Sequence, residues 1–129
     1  MTGPAAGGPP PHRWYTRPVL FVADVHRAAR FYVERLGFTT AWHADEGAGP
    51  VCQVDRGECE IILCEDAARA GRGRLFVELT AAGLAALRRE LAERAVPSTE
   101  TRWGNEVLRV DDPDGNELFF PDPGPPRAG

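Results

Sequence analysis

Thr101–Phe120 reads TRWGNEVLRVDDPDGNELFF. Two short apolar-rich runs, Glu106–Val110 and Asn116–Phe120, flank Asp112-Pro113-Asp114-Gly115. Proline suits the early position of a tight turn because its ring already holds φ there, and glycine accepts positive φ. The stretch predicts a β-hairpin. Trp103-Gly104-Asn105 marks its start, a large aromatic beside a flexible point.

Working outward, Pro97–Arg102 reads as a short strand. Before it, Thr80 caps a helix running to about Ala95, with Leu84, Leu87 and Leu91 as its apolar stripe. Arg74–Leu79 (RLFVEL) is strand-like, and residues 67–73 form a polar, small-residue linker. The first half has the same order. Arg17–Ala23 is a strand, and Asp24 caps a helix over Val25–Leu36 with Val25, Ala28, Ala29, Tyr32 and Leu36 as its stripe. Gly37 ends that helix. Phe38–Trp42 is a strand, Ala44–Gly49 an exposed loop, and Val51–Asp55 and Glu58–Glu65 a hairpin turning at Arg56-Gly57. The order β-α-β-β-β is therefore written twice. The offset that carries Arg17 onto Arg74 also carries Glu60 onto Glu117 and Ile62 onto Phe119. The expected organisation is a tail at 1–13, one βαβββ module at 14–66, the linker, a second module at 74–121, and a tail at 122–129. Both tails are Gly/Ala/Pro-rich and are expected to be loosely attached.

Composition excludes several function classes. The formal net charge is −4 with no basic run, which argues against a nucleic-acid partner. No apolar run is long enough to span a bilayer, and the start lacks a signal-peptide core. Cys52, Cys59 and Cys64 are an odd number within strand-like sequence, so they read as small hydrophobes in a reducing, cytoplasmic setting. Ser98 is the single serine, and Gly71-Arg72-Gly73 lacks the strand-to-helix context of a phosphate loop.

Pro18–Val25, Phe31-Tyr32, Leu36-Gly37-Phe38, Trp103-Gly104 and Asp112–Asn116, in this order and spacing, resemble the vicinal-oxygen-chelate superfamily. That group includes glyoxalase I, extradiol dioxygenases, fosfomycin-resistance enzymes and bleomycin-resistance proteins. The resemblance covers about Arg17–Pro121 and is greatest to the bleomycin-resistance branch, whose late loop Trp103-Gly104 matches; Trp42 has no clear equivalent there. It implies an α+β fold of two βαβββ modules, each a curved sheet around a cavity, often completed by a second subunit.

The resemblance also locates the positions that hold metal in metal-dependent members: Arg17, Ile62, Arg74 and Phe119. Guanidinium groups stay protonated and have no acceptor, and isoleucine and phenylalanine have no donor atoms. Divalent ions need converging imidazole, carboxylate or thiolate groups. The shared metal site is therefore expected to be absent, and no cofactor is expected. His12, His26 and His43 read as exposed histidines; a site built from His43, Asp45 and Glu46 is the weaker alternative.

Strand alternation then assigns the cavity face by parity with those positions. Val19 and Phe21, Glu60, Ile62 and Cys64, Phe76 and Glu78, and Glu117 and Phe119 face inward, with Gln53 and Val51 opposite Glu60 and Ile62. Trp42 and Trp103 extend the aromatic supply near the mouth. The expected ligand-binding set is Phe21, Trp42, Glu60, Ile62, Phe76, Glu78, Trp103, Glu117 and Phe119. A plainer alternative has the phenylalanines filling a core and the glutamates pairing with Arg17 and Arg74. An aromatic wall with carboxylates suits a flat, aromatic, cationic small molecule. The functional expectation is a homodimeric protein that binds an antibiotic of bleomycin type and confers resistance by sequestration. The alternative is a superfamily enzyme: a metal-dependent lyase or dioxygenase, or a cofactor-free isomerase using Glu60, Glu78 or Glu117 as base.

Overall fold

The computed structural model describes residues 14–45 and 49–124. The expectations for residues 1–13, 46–48 and 125–129 lie outside them, Glu46 included. Ten elements follow in order: β1 (Val19–Val22), α1 (Val25–Glu34), β2 (Thr39–Ala44), β3 (Val51–Arg56), β4 (Cys59–Glu65), β5 (Arg74–Phe76), α2 (Ala81–Glu93), β6 (Thr99–Trp103), β7 (Asn105–Asp111) and β8 (Glu117–Pro121). They form two four-stranded mixed sheets, β1-β4-β3-β2 and β5-β8-β7-β6. In each, the first strand runs parallel to the last and the rest are antiparallel. The α+β architecture and the twofold βαβββ pattern are as the sequence predicts.

Local chemistry explains the boundaries. The Asp24 carboxylate accepts from the His26 and Arg27 amides at 2.9 and 3.0 Å, and Thr80 Oγ1 accepts from the Gly83 amide at 3.0 Å. Both satisfy donors that a helix N-terminus leaves open. Gly37 takes φ +73 after α1, a conformation that favours glycine.

Among the boundaries that differ from expectation, three bear on the site. The β3–β4 turn is Gly57-Glu58, because Arg56 pairs with Cys59 across the ladder. Asp55 therefore lies opposite Glu60, Gln53 opposite Ile62 and Val51 opposite Cys64. Gly57 takes positive φ, +59, and Glu58 does not, the pattern of a two-residue turn with glycine at its first central position. β5 stops at Phe76, three residues short of Leu79. Val77 still donates to Phe119 O at 2.8 Å, after which the backbone leaves the sheet toward α2. Finally, Trp103 belongs to β6 and pairs with Asn105 around Gly104 at φ +82, so it sits on a strand end and not in a loop.

One continuous core joins the modules. Leu20, Val22, Ile61 and Leu63 pack beneath Val25, Ala28 and Tyr32 of α1; Leu108, Val110, Leu118 and Phe120 belong to the same cluster as Leu84, Leu87 and Leu91 of α2. The helices differ in how closely they approach. α1 lies tight on β2, β3 and β4, whereas α2 approaches no strand so closely. No described helix is long and apolar enough to cross a membrane.

The Asp112–Asn116 turn fastens the halves together. Asp112 Oδ1 accepts from the Asp114 and Asn116 amides at 2.9 Å each. Its Oδ2 accepts from the Tyr32 hydroxyl of α1 at 3.0 Å and from Asn116 Nδ2 at 2.9 Å. Asn116 Nδ2 also reaches Phe21 O at 3.0 Å, and Asp114 Oδ1 accepts from the Ala23 amide at 3.0 Å. Burial first, then the Asp112 charge and hydrogen bond, hold the Tyr32 pKa well above the usual tyrosine value. Folding therefore favours the protonated phenol: the contribution is complete below about pH 10 and is lost as pH rises through the folded value. Tyr32→Phe is expected to lower stability by about 1–2 kcal/mol at neutral pH. It should also flatten the loss of stability above about pH 10, both read by urea unfolding across pH.

Candidate functional site

Each sheet has one face against its helix and one face away from it. The outer face of the first sheet carries Val19 and Phe21 of β1, Trp42 of β2, Gln53 of β3, and Ile62 and Cys64 of β4, related by their cross-strand partners. Trp42 arrives there through a register shift between Thr40 and Trp42. Thr40 pairs with Val54 and Trp42 with Gln53, so Ala41 is the extra residue of a bulge. Simple alternation would have turned Trp42 toward the helix. The same bulge turns His43 toward α1, where its ring centroid lies 4.9 Å from that of His26.

Gln53 organises this face. It is 5 % exposed, and its Oε1 accepts from Arg17 NH1 at 2.7 Å and Trp42 Nε1 at 3.0 Å. Its Nε2 donates to Asp55 at 2.9 Å. A buried amide with its polar atoms engaged holds its neighbours in one arrangement. The Phe21 ring lies beneath the Arg69 guanidinium, 5.2 Å from its centroid.

The outer face of the second sheet is an aromatic ladder edged with charge. Trp103 stacks on Phe76 with centroids 5.7 Å apart and planes within 2°, and meets Phe119 at 4.4 Å and 33°. The Arg74 guanidinium lies 5.9 Å from the Trp103 ring and 5.6 Å from that of Phe119. It also pairs with Glu117 at 2.8 Å, and Glu117 meets Arg109 at 3.6 Å. Arg109 is opposite Phe119 on β7 and pairs with Asp111 at 3.1 Å. The plainer alternative thus holds for Glu117, whose carboxylate is bound to two arginines of its own chain.

Of the nine expected ligand-binding residues, the structure brings Phe76, Trp103, Glu117 and Phe119 together on the second face. It brings Phe21, Trp42 and Ile62 together on the first. Glu60 keeps the parity of Ile62, opposite Asp55 near the start of β4, and it also borders, with Glu78, a cavity between the modules. Glu78 does so because β5 ends before it. Neither outer face covers the other: Val19, Trp42, Phe76 and Trp103 remain 48, 39, 51 and 50 % exposed. The reading of the sequence passed over Arg109; alternation along β7, registered through the Asp112–Asn116 turn, would have placed it opposite Phe119.

Of the positions that the resemblance assigned to metal ligands, Arg17 binds Gln53 and Arg74 binds Glu117, while Ile62 and Phe119 are apolar. Among the described residues no group of three His, Cys, Asp or Glu side chains converges. The candidate site is thus a pair of aromatic, charge-edged sheet faces.

Paired βαβββ sheets of this topology define a class, and the sequence agrees. The family profile described as "Glyoxalase superfamily protein" matches residues 14–123, and the chain belongs to the glyoxalase superfamily. Among solved structures, TnmS3, an antibiotic-binding protein from Streptomyces sp. CB03234, is similar at 24 % identity and TM-score 0.67, with 85 % of this chain and 96 % of that chain covered. The bleomycin-binding protein from bleomycin-producing Streptomyces verticillus, complexed with copper(II)-bleomycin, is similar at 26 % identity and TM-score 0.66, covering 84 % and 95 %. Lactoylglutathione lyase from Agrobacterium tumefaciens shares the fold at 18 % identity and TM-score 0.64, covering 88 % and 95 %. No curated protein matches.

Gln53→Leu removes the acceptor shared by Arg17 and Trp42. With Trp14 and Trp103 changed to phenylalanine so that Trp42 reports alone, the substitution should increase acrylamide quenching of its fluorescence. It should also lower stability by about 1–3 kcal/mol.

Proposed function

We propose that the protein binds an aromatic antibiotic of bleomycin type and confers resistance by sequestering it without chemical change or metal. The observation that carries this reading is the exposed Phe76–Trp103 stack lying on the buried Phe119 ring, at a position that the family resemblance assigns to a metal ligand. Stacked aromatic rings offer a flat, polarisable surface with no donor for a metal ion. The bleomycin-binding relative at 26 % identity supports the same ligand class. Phe21, Trp42 and Ile62 supply the facing wall in this reading, with Glu60 as the carboxylate that offsets a cationic ligand.

The working form is a two-fold symmetric homodimer in the cytoplasm. A single chain leaves both faces uncovered, with Val19, Trp42, Phe76 and Trp103 in solvent. Large exposed apolar patches mark binding surfaces, and a second copy would bring a first-module face against a second-module face. The three free cysteines fit a reducing compartment.

Purified protein titrated with bleomycin and a panel of other aromatic antibiotics should show saturable quenching of tryptophan fluorescence. Phe119→Ala and Trp103→Ala should weaken binding by roughly 0.5–2 kcal/mol each at any salt concentration. Glu60→Gln should weaken it mainly at low salt, where screening is least. Light scattering should give twice the chain mass. No binding and no protection of an expressing host across the panel would overturn the reading. A time-dependent change in the ligand's mass would replace it with catalysis.

A further inference from the structure

The space left where α2 stands off its sheet is a cavity of about 540 Å³. Its walls are apolar: Leu75 and Val77 from β5 and its continuation, Leu87 from α2, and Leu118 and Phe120 from β8. Leu36, Phe38 and Cys59 of the first module also line it. Burial pushes the Cys59 pKa up, assisted by Asp55, so its thiol stays neutral and adds to the apolar lining. The cavity exists for a reason visible in the helix. α2 presents Gly83 and Ala86 to it, and neither has a side chain long enough to reach the sheet.

The charge around this cavity is one-sided. Glu58, Glu60 and Glu78 line it, and none of the three has an ion-pair partner among the described residues. The single cation in the lining, Arg56, is already committed. It donates to Glu90 at 2.9 and 3.0 Å in a bidentate pair and to Leu36 O at 2.7 Å. An apolar chamber of this size lies within the range that small molecules occupy. Unpaired carboxylates at its edge favour a positive charge and penalise a negative one.

From these features we infer that the α2 cavity is a second ligand site for a small organic cation with an apolar body; it borders the outer faces at Glu60 and Phe76 and includes none of Trp42, Trp103 and Phe119. The body lies against Leu75, Leu87 and Phe120, and the charged group sits between Glu58 and Glu78.

Decyltrimethylammonium below its micelle concentration is the probe, with decanoate as the oppositely charged control of the same chain length. Calorimetry on the whole protein should show one saturable site per chain for the cation and at least tenfold weaker binding of decanoate. Ala86→Phe fills the chamber and should abolish that binding while leaving the fold's thermal stability equal or higher. Glu58→Gln with Glu78→Gln keeps the chamber open and should weaken the cation several-fold, an effect that high salt removes. Trp103→Ala should leave decyltrimethylammonium binding unchanged even where it impairs antibiotic binding, which separates this site from the outer faces. Failure of the cation to saturate, equal binding of decanoate, or unchanged binding in a folded Ala86→Phe protein would each overturn the inference.

Discussion

The Asp112 carboxylate is the constraint on which the rest of the molecule rests. It accepts two backbone amides of its own turn, an asparagine side chain, and the phenol of a helix in the other module. A buried carboxylate is costly unless its lone pairs are used, and here four donors use them. The same turn shapes the β7–β8 hairpin and holds it against α1 and the end of β1. A change that loosened it would disturb both sheets, because the hairpin's register and the relative placement of the modules depend on the same oxygen atoms. The Asp-Pro-Asp-Gly-Asn run therefore serves architecture: Asp112 and Asn116 are consumed in backbone and inter-module bonds, and Asp114 caps the Ala23 amide.

The two halves share one βαβββ plan but have different physical characters. In the first, α1 carries Tyr32 and lies tight on its sheet, and the outer face is ordered by a buried glutamine. In the second, a helix rich in alanine and glycine stands off its strands, and the outer face is a ladder of three aromatic rings. The difference follows from side-chain volume. Where α2 offers Gly83 and Ala86 beside Leu87, the sheet residues opposite have little to interdigitate with, and close packing is lost locally.

Arginine at Arg17 and Arg74 changes the electrostatics of the two faces. Each guanidinium is satisfied by a residue of its own sheet, Gln53 on β3 in one case and Glu117 on the adjacent strand β8 in the other. The second face consequently holds its charges in a connected set, Arg74–Glu117–Arg109–Asp111, beneath and beside the rings. Rings backed by cations are held in place by quadrupole attraction as well as by contact area.

Much of this was written locally and so was legible in the sequence alone. Helix caps at Asp24 and Thr80, the glycine stop at Gly37, the Asp112–Asn116 turn and the alternation of β1, β4 and β8 each depend on a few neighbouring residues. From them follow the doubled βαβββ order, the family resemblance and the parity that puts Phe21, Ile62 and Phe119 on outward faces. Tertiary structure decided the rest. Whether Trp42 faces outward depends on a bulge at Ala41, which alternation does not encode. The early end of β5 carries Glu78 off the face and into the cavity, because the chain must leave the sheet to start α2. Whether a glutamate is free or bound depends on arginines from another strand: Glu117 meets Arg74 and Arg109, while Glu60, its counterpart in the repeat, meets neither. Register, bulges and charge pairing are set by contacts between segments far apart in the chain, and a local pattern carries no record of them.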